Sequence, residues 1–263
     1  MLCGTETGGY EVVLPRRSFE YKLACAGRHR VSDDMTDASI ASQQAGNRLP
    51  LWLKLTYTGF MAVLVPVYWH YYGPTNFLYF CDLALIITLI GISIESPFLI
   101  SMCAIGILAP QAFWVADFLA NLAGLSFLGI TDYMFNHDNS LFLRALSLYH
   151  GLLPFLLVYL VWALGYDRRA LPAWTVLAWL VLPVCFFFMP PPNPNPGLTP
   201  VNINYVWGLS DSAAQNWVSP AEWFIGLMIG LPFLLYVPTH FLLLRFAPKP
   251  LRTLGPLSPS RNS

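Results

Sequence analysis

The chain has 263 residues, 56% of them hydrophobic and 11% charged, with a mean hydropathy of +0.54 and a formal net charge of zero. Ordinary soluble domains carry about 25% charged residues, and chains this apolar usually need lipid around them. The zero net charge gives no basic field of the kind nucleic acid requires.

Five cysteines, Cys3, Cys25, Cys81, Cys103 and Cys185, form no CxxC pattern and no Cys/His spacing. No metal site, cofactor or disulfide framework is expected from them.

Residues 1–49 are polar, mixed in charge and without sustained periodicity, and read as a disordered cytoplasmic lead-in. No apolar run precedes Leu51, so the first membrane helix is expected to act as an uncleaved signal. Six apolar segments follow at 51–69, 76–94, 97–120, 141–164, 171–188 and 221–246. Each approaches the ~20 residues that an α-helix needs to cross a bilayer. Pro110 and Pro154 are expected to bend the third and fourth, because proline removes an intrahelical donor. The fold expected is all-α and polytopic: a six-helix transmembrane domain over 50–247, then a basic cytoplasmic tail over 248–263.

Orientation follows from Lys and Arg. With the N-terminus inside, the inner segments hold Arg16, Arg17, Lys22, Arg28, Arg30, Arg48, Arg168, Arg169, Lys249, Arg252 and Arg261. Lys54 and Arg245 lie at inner helix ends, and the opposite side has only Arg144. The positive-inside rule therefore predicts both ends in the cytoplasm and a multi-pass protein of the cell inner membrane. The outer side would carry a loop at 131–140 and a long one at 189–220, the latter opening with MPPPNPNPGLTP, which is stiff and extended.

An ionisable group inside a membrane helix is costly and by default a functional candidate. The second segment carries Cys81 and Asp82, the third Asp117 and Asn121 on one helical face, and the fourth His150. At ~1.5 Å rise per residue, Asp82 lies about 9 Å and His150 about 13 Å below the outer surface. A pocket shared by segments two, three and four is expected there, with Asn202, Asn204 and Tyr205 above it as substrate contacts. His150 is the candidate base, Asp82 or Asp117 the group that orients it, and Cys81 the candidate nucleophile. Successive helical residues point ~100° apart, so Cys81 and Asp82 do not both aim at His150. The competing structural reading makes Cys81 a small packed hydrophobe and Asp82–His150 an interhelical bond that only fixes packing. It leaves Asp117 and Asn121 solvated, Glu95 a solvated boundary residue, and His70, His137 and His240 at the interface.

LYFCDLALIITL (78–89) is similar to the Leu-Cys-Asp-Leu helix of the YwaF-like integral membrane proteins. SLYHGLLPFLLVYLVWALG (147–165) resembles that family's Ser-His-Gly helix, and VNINYVWG (201–208) its Asn-Tyr loop. The three lie in the family's order. A vertebrate relative of that family is a transmembrane acyltransferase acting on ether phospholipids, with a membrane Cys and His implicated. The more distant androgen-induced proteins hydrolyse fatty-acid esters with a membrane Thr and His. The resemblance implies Cys81 and His150 as the matching positions and membrane lipid as partner. The chain departs from those patterns by Tyr79 where the threonine would stand and by Tyr149 directly before His150.

Two functions follow as expectations: a lipid-processing acyltransferase or ester hydrolase, and a proton- or small-molecule-binding transporter. A membrane protein whose polar residues only lock helices together is the third.

Overall fold

The structure, a computed structural model, describes residues 48–250 apart from 126, 138 and 196. The expected lead-in and most of the basic tail lie outside the described residues. Those described form helices joined by loops, with no strand among them. Helix α1 spans Leu51–Tyr71, α2 Phe80–Ser93, α3 Pro97–Leu122, α4 Leu141–Ser147, α5 Tyr149–Leu164, α6 Ala170–Phe188, α7 Pro220–Gly230 and α8 Val237–Phe246. Leu148 alone separates α4 from α5, and a π-helical turn, Leu231–Tyr236, joins α7 to α8.

Five helical stretches are long and apolar enough to cross a membrane: Leu51–Tyr71, Pro97–Leu122, Leu141–Leu164, Ala170–Phe188 and Pro220–Phe246. The second expected span is different. Its α-helix is only 14 residues long and is preceded by a 3-10 segment, Pro74–Leu78. The chain is extended at Tyr79 between them (φ −61°, ψ 137°).

Their outer surface suits lipid. Leu152, Phe155, Phe188 and Leu234 are each about 70% exposed, and Trp52, Trp162 and Phe241 are also bare. So much exposed apolar area in water marks an aggregation surface, whereas acyl chains solvate it.

Helix α3 is the hub, packed against α2, α5 and α6. Small side chains make the close approach feasible, since apolar solvent gives helices little hydrophobic drive to associate. Ser101, Cys103 and Ala104 are fully buried in it. At Gly106 a Cβ would overlap the Trp174 indole of α6, so only glycine fits.

Helix starts are set by local chemistry. Ser96 accepts from the Leu99 N–H at the start of α3, with Pro97 next. Ser219 and Glu222 form a reciprocal capping box at α7. Prolines within the spans free carbonyls four residues back, and one of these is visibly satisfied. Pro232 lacks the N–H that would reach Met228, and the Trp179 indole N–H takes that carbonyl at 2.9 Å. The break in the fourth expected span falls at Leu148 rather than at Pro154, which lies inside a continuous α5.

One end of the bundle is tied by Glu95. Its carboxylate accepts from the backbone N–H of Arg48 (2.8 Å) and Leu49 (3.3 Å) and pairs with Lys54 at 2.7 Å. Glu95 thus anchors the entry to α1 and is no solvated boundary residue. At φ +52° it occupies the left-handed region that aims it back at α1. Burial opposes its ionisation, but the Lys54 bond and charge and the two N–H donors outweigh that, so its pKa lies below the usual glutamate value. A depressed carboxyl stabilises the fold above its unfolded pKa and loses that contribution as pH falls through its native pKa. Thermal unfolding in detergent from pH 7 to pH 3.5 should therefore show a loss below about pH 4.5 that Glu95→Gln removes. Parallel curves for the two proteins would assign the loss to other groups.

Candidate functional site

At the opposite end, the break at Tyr79 leaves two backbone groups of the second span without helical partners. Asn204, from the long loop 189–219, satisfies both. Its Oδ1 accepts from the Phe80 N–H at 3.0 Å, and its Nδ2 donates to the Leu78 carbonyl at 2.9 Å. Irregular backbone at membrane depth is tolerated where protein groups pair it. Asn202, Asn204 and Tyr205 are all left-handed (φ +49°, +58° and +60°), a conformation that asparagine tolerates and tyrosine rarely adopts. Asn202 holds the loop from within, donating to the Gly208 and Ser210 carbonyls and accepting from the Trp207 N–H. The Tyr205 carbonyl accepts from the Trp223 indole.

The break also repositions Asp82. Because α2 begins at Phe80, Asp82 stands in its first turn, where the helix dipole favours an anion, rather than well inside a helix running from Asn76. It is 3% exposed. Its Oδ2 accepts from Asn76 Nδ2 at 2.8 Å, and its Oδ1 from the Tyr149 hydroxyl at 3.0 Å. Neither donor carries charge. The half-buried Cys81 thiol lies close to the Asp82 carboxylate and the Tyr149 hydroxyl. A further hydroxyl pair, Tyr68 with Ser147 at 3.0 Å, extends the buried polar layer.

His150 follows Tyr149 directly but points elsewhere, and no bond joins it to Asp82. Its Nδ1 meets Gln111 of α3, with Nε2 at 2.9 Å and Oε1 at 3.2 Å. The cause is helical geometry: adjacent residues project ~100° apart, so when Tyr149 faces α2, His150 faces α3. The imidazole stacks on Tyr149 (centroids 4.1 Å) and on Trp114 (5.2 Å). Nε2 of His150 makes no hydrogen bond among the described residues. Beside Trp114 an open groove of about 300 Å³ runs between α3 and α5, lined by Trp114, Phe118, Leu148, Gly151, Leu152 and Phe155. Its walls are apolar.

Asp117 and Asn121 sit apart from these residues. Asp117 is fully buried, and its two oxygens accept from the N–H groups of Leu128, Gly129 and Thr131 and from the Thr131 hydroxyl, at 2.6–3.0 Å. Asn121 donates to Thr131 Oγ1 and Asp132 Oδ1. Both therefore secure the loop after α3, and Asp117 does not touch His150. Solvation does not describe Asp117, whereas Asn121 is half-buried.

The candidates thus fall into three groups: Asp82 with Cys81, His150 alone, and residues holding loops. The structure adds Gln111, Tyr149 and Asn76 as their partners. Gln111 carried a legible signal, being a polar residue in an apolar helix directly after Pro110. Of the remaining histidines, His240 Nδ1 bonds the Tyr166 hydroxyl at 2.5 Å, tying α8 to the loop before α6.

Three or more His, Cys, Asp or Glu side chains that might share a metal ion are not found together among the described residues. Searches of protein-family models, curated proteins and solved structures give no match to this chain.

Proposed function

We propose that the chain is a six-pass protein of the inner membrane, with both ends in the cytoplasm, that hydrolyses or transfers a lipid acyl ester from the outer half of the bilayer. The observation that carries the chemistry is His150, held at Nδ1 by Gln111, with no bond at Nε2 among the described residues and its ring stacked on Trp114, which lines an apolar groove. The chemistry uses the tautomer in which Gln111 Oε1 accepts from Nδ1–H, at 3.2 Å, which leaves Nε2 as the basic nitrogen. It takes the proton of a water or alcohol as that oxygen attacks the acyl carbonyl carbon. The same proton then passes to the departing alkoxide, so charge and atoms balance. The groove would hold the acyl chain. Lipid as substrate class follows the resemblance of the Cys81–Asp82 and His150 helices to the YwaF-like proteins.

On this reading Asp82 and Tyr149 position the helices around His150 and do not relay its proton. Cys81 neighbours Asp82 and Tyr149 and has no bond to His150, which favours direct activation of water or alcohol over an acyl-thiol intermediate. Phospholipid and neutral ester turnover by the purified protein in nanodiscs tests the proposal. Products should appear with wild type and with Cys81→Ser, and not with His150→Ala.

A second reading, a proton- or small-molecule-binding transporter, is favoured by one observation. Asp82 lies at a broken helix with only neutral partners, and broken helices at membrane depth form ion and substrate sites in transporters. Proton-linked uptake into proteoliposomes that Asp82→Asn abolishes, without ester turnover, would select it.

Support for the topology comes from contacts at one end. Arg48 and Leu49 meet Glu95, the Asp167 N–H meets Ser101, and the Tyr166 N–H meets the Pro248 carbonyl, so the first and last described residues share that end. An even number of passes accounts for this. Single cysteines at Asn193 or Ser212, in a background without native cysteines, should react with an impermeant thiol reagent in intact cells. A cysteine at Arg168 should not, and labelling there would reverse the orientation.

A further inference from the structure

The end of the bundle opposite Asp82 carries a second recess, of about 660 Å³, lined by Tyr166, Asp167, Arg168, Arg169, Lys249 and Pro250. Its shape is built by the backbone. Gly165 adopts φ +89°, and a Cβ there would come within 2.5 Å of Pro250 Cα and N, so the chain after α8 lies directly over this glycine. The Tyr166 N–H fixes that crossing by donating to the Pro248 carbonyl at 2.8 Å. Lys249 is thereby brought from far along the sequence to the rim that Arg168 and Arg169 already occupy.

The charges are unequal in their commitments. Arg169 is bound by Asp167 through contacts of 2.7–3.2 Å and lies over the Phe98 ring. Arg168 and Lys249 are exposed, and neither has an ion-pair partner among the described residues. Two free cations and a third held by one carboxylate leave the recess with a net positive field. On the topology proposed above it faces the inner leaflet, where anionic headgroups draw basic residues.

We propose that this recess binds a phosphate group, with Arg168 and Lys249 as its charged ligands, carried either by an anionic phospholipid headgroup or by a soluble phosphate compound. Arg168 supplies a fork that matches phosphate oxygens and Lys249 a point charge. Asp167 limits affinity by holding Arg169 back.

The test uses the full-length protein, reconstituted in phosphatidylcholine nanodiscs and in neutral detergent. Short-chain phosphatidylglycerol, short-chain phosphatidylcholine, inorganic phosphate and glycerol 3-phosphate are each titrated by intrinsic fluorescence and thermal shift. Phosphatidylglycerol should bind and raise the melting temperature, less so at high salt. Arg168→Gln and Lys249→Gln should each weaken it about fivefold and together about thirtyfold. Asp167→Asn should tighten it, an opposite sign that a merely disrupted recess does not give. Binding of inorganic phosphate or glycerol 3-phosphate with the same mutational pattern, and without preference for the diacyl lipid, would assign the site to a soluble compound. Equal affinity of wild type and double variant, or equal binding of phosphatidylcholine, overturns the proposal. Unliganded melting temperatures of the variants should match wild type, since both side chains are exposed.

Discussion

His150→Ala is expected to lower ester turnover by about 10²–10⁴-fold, the usual contribution of a general acid–base group, while the protein stays folded in detergent. The cost to the fold should be about 1–3 kcal/mol, because the buried Gln111 amide loses its hydrogen-bonding partner. Gln111→Leu should cost less, about tenfold, as expected for the loss of one hydrogen bond that sets the tautomer. His150→Gln keeps a polar partner for Gln111 but no titratable nitrogen, so it should be as inactive as the alanine variant. The pH dependence separates positioning from catalysis. Gln111→Leu should keep the fall in rate toward low pH that protonation of a base produces, whereas both His150 variants should lose it. Full ester turnover in His150→Ala would remove His150 as the base of the mechanism.

Asp117 should prove the most destabilising surface-end position to change. Its carboxylate serves three backbone N–H groups and one hydroxyl of the loop after α3, all within 3.0 Å. Each buried donor left without an acceptor costs about 1–3 kcal/mol, and the two Thr131 donors are buried, so Asp117→Ala should lose at least ~2 kcal/mol. Asp117→Asn should be nearly as damaging despite its shape, because its NH₂ group faces donors that need an acceptor. Thermal unfolding in detergent should fall by several degrees for both variants, and proteases should cut near residues 128–132 before the helices unfold. Asn121→Ala, which removes one donor to Thr131 and one to Asp132, should be milder. Melting of both Asp117 variants together with wild type would show that the loop contributes nothing to the bundle.

These two residues illustrate why similar sequence signals separate in space. Asp82, Asp117 and His150 each read as an ionisable group in an apolar helix, and the penalty for lipid exposure holds for all three. That penalty requires a partner without naming it. Asp117 found backbone donors in its own following loop, Asp82 found two neutral side chains, and His150 found an amide. The partners Tyr149 and Asn76 are unremarkable in one dimension, since tyrosine and asparagine near a membrane surface are ordinary. Glu95 was similarly illegible: its role depends on the left-handed turn that aims it at a helix start nearly fifty residues earlier.

The sequence alone determined that the chain is helical, apolar and built around long membrane-compatible segments, because hydrophobic run length is a one-dimensional property tied directly to bilayer thickness. It also determined which segments hold polar groups. Only the tertiary structure decided the form of the second segment, whose 14-residue helix starts at Phe80 and whose broken backbone is completed by Asn204 from a loop 124 residues away. Tertiary structure alone also gave Tyr149 to Asp82 and His150 to Gln111. Helical rotation fixes the ~100° between neighbouring residues, but which neighbour faces which helix depends on how α2, α3 and α5 pack.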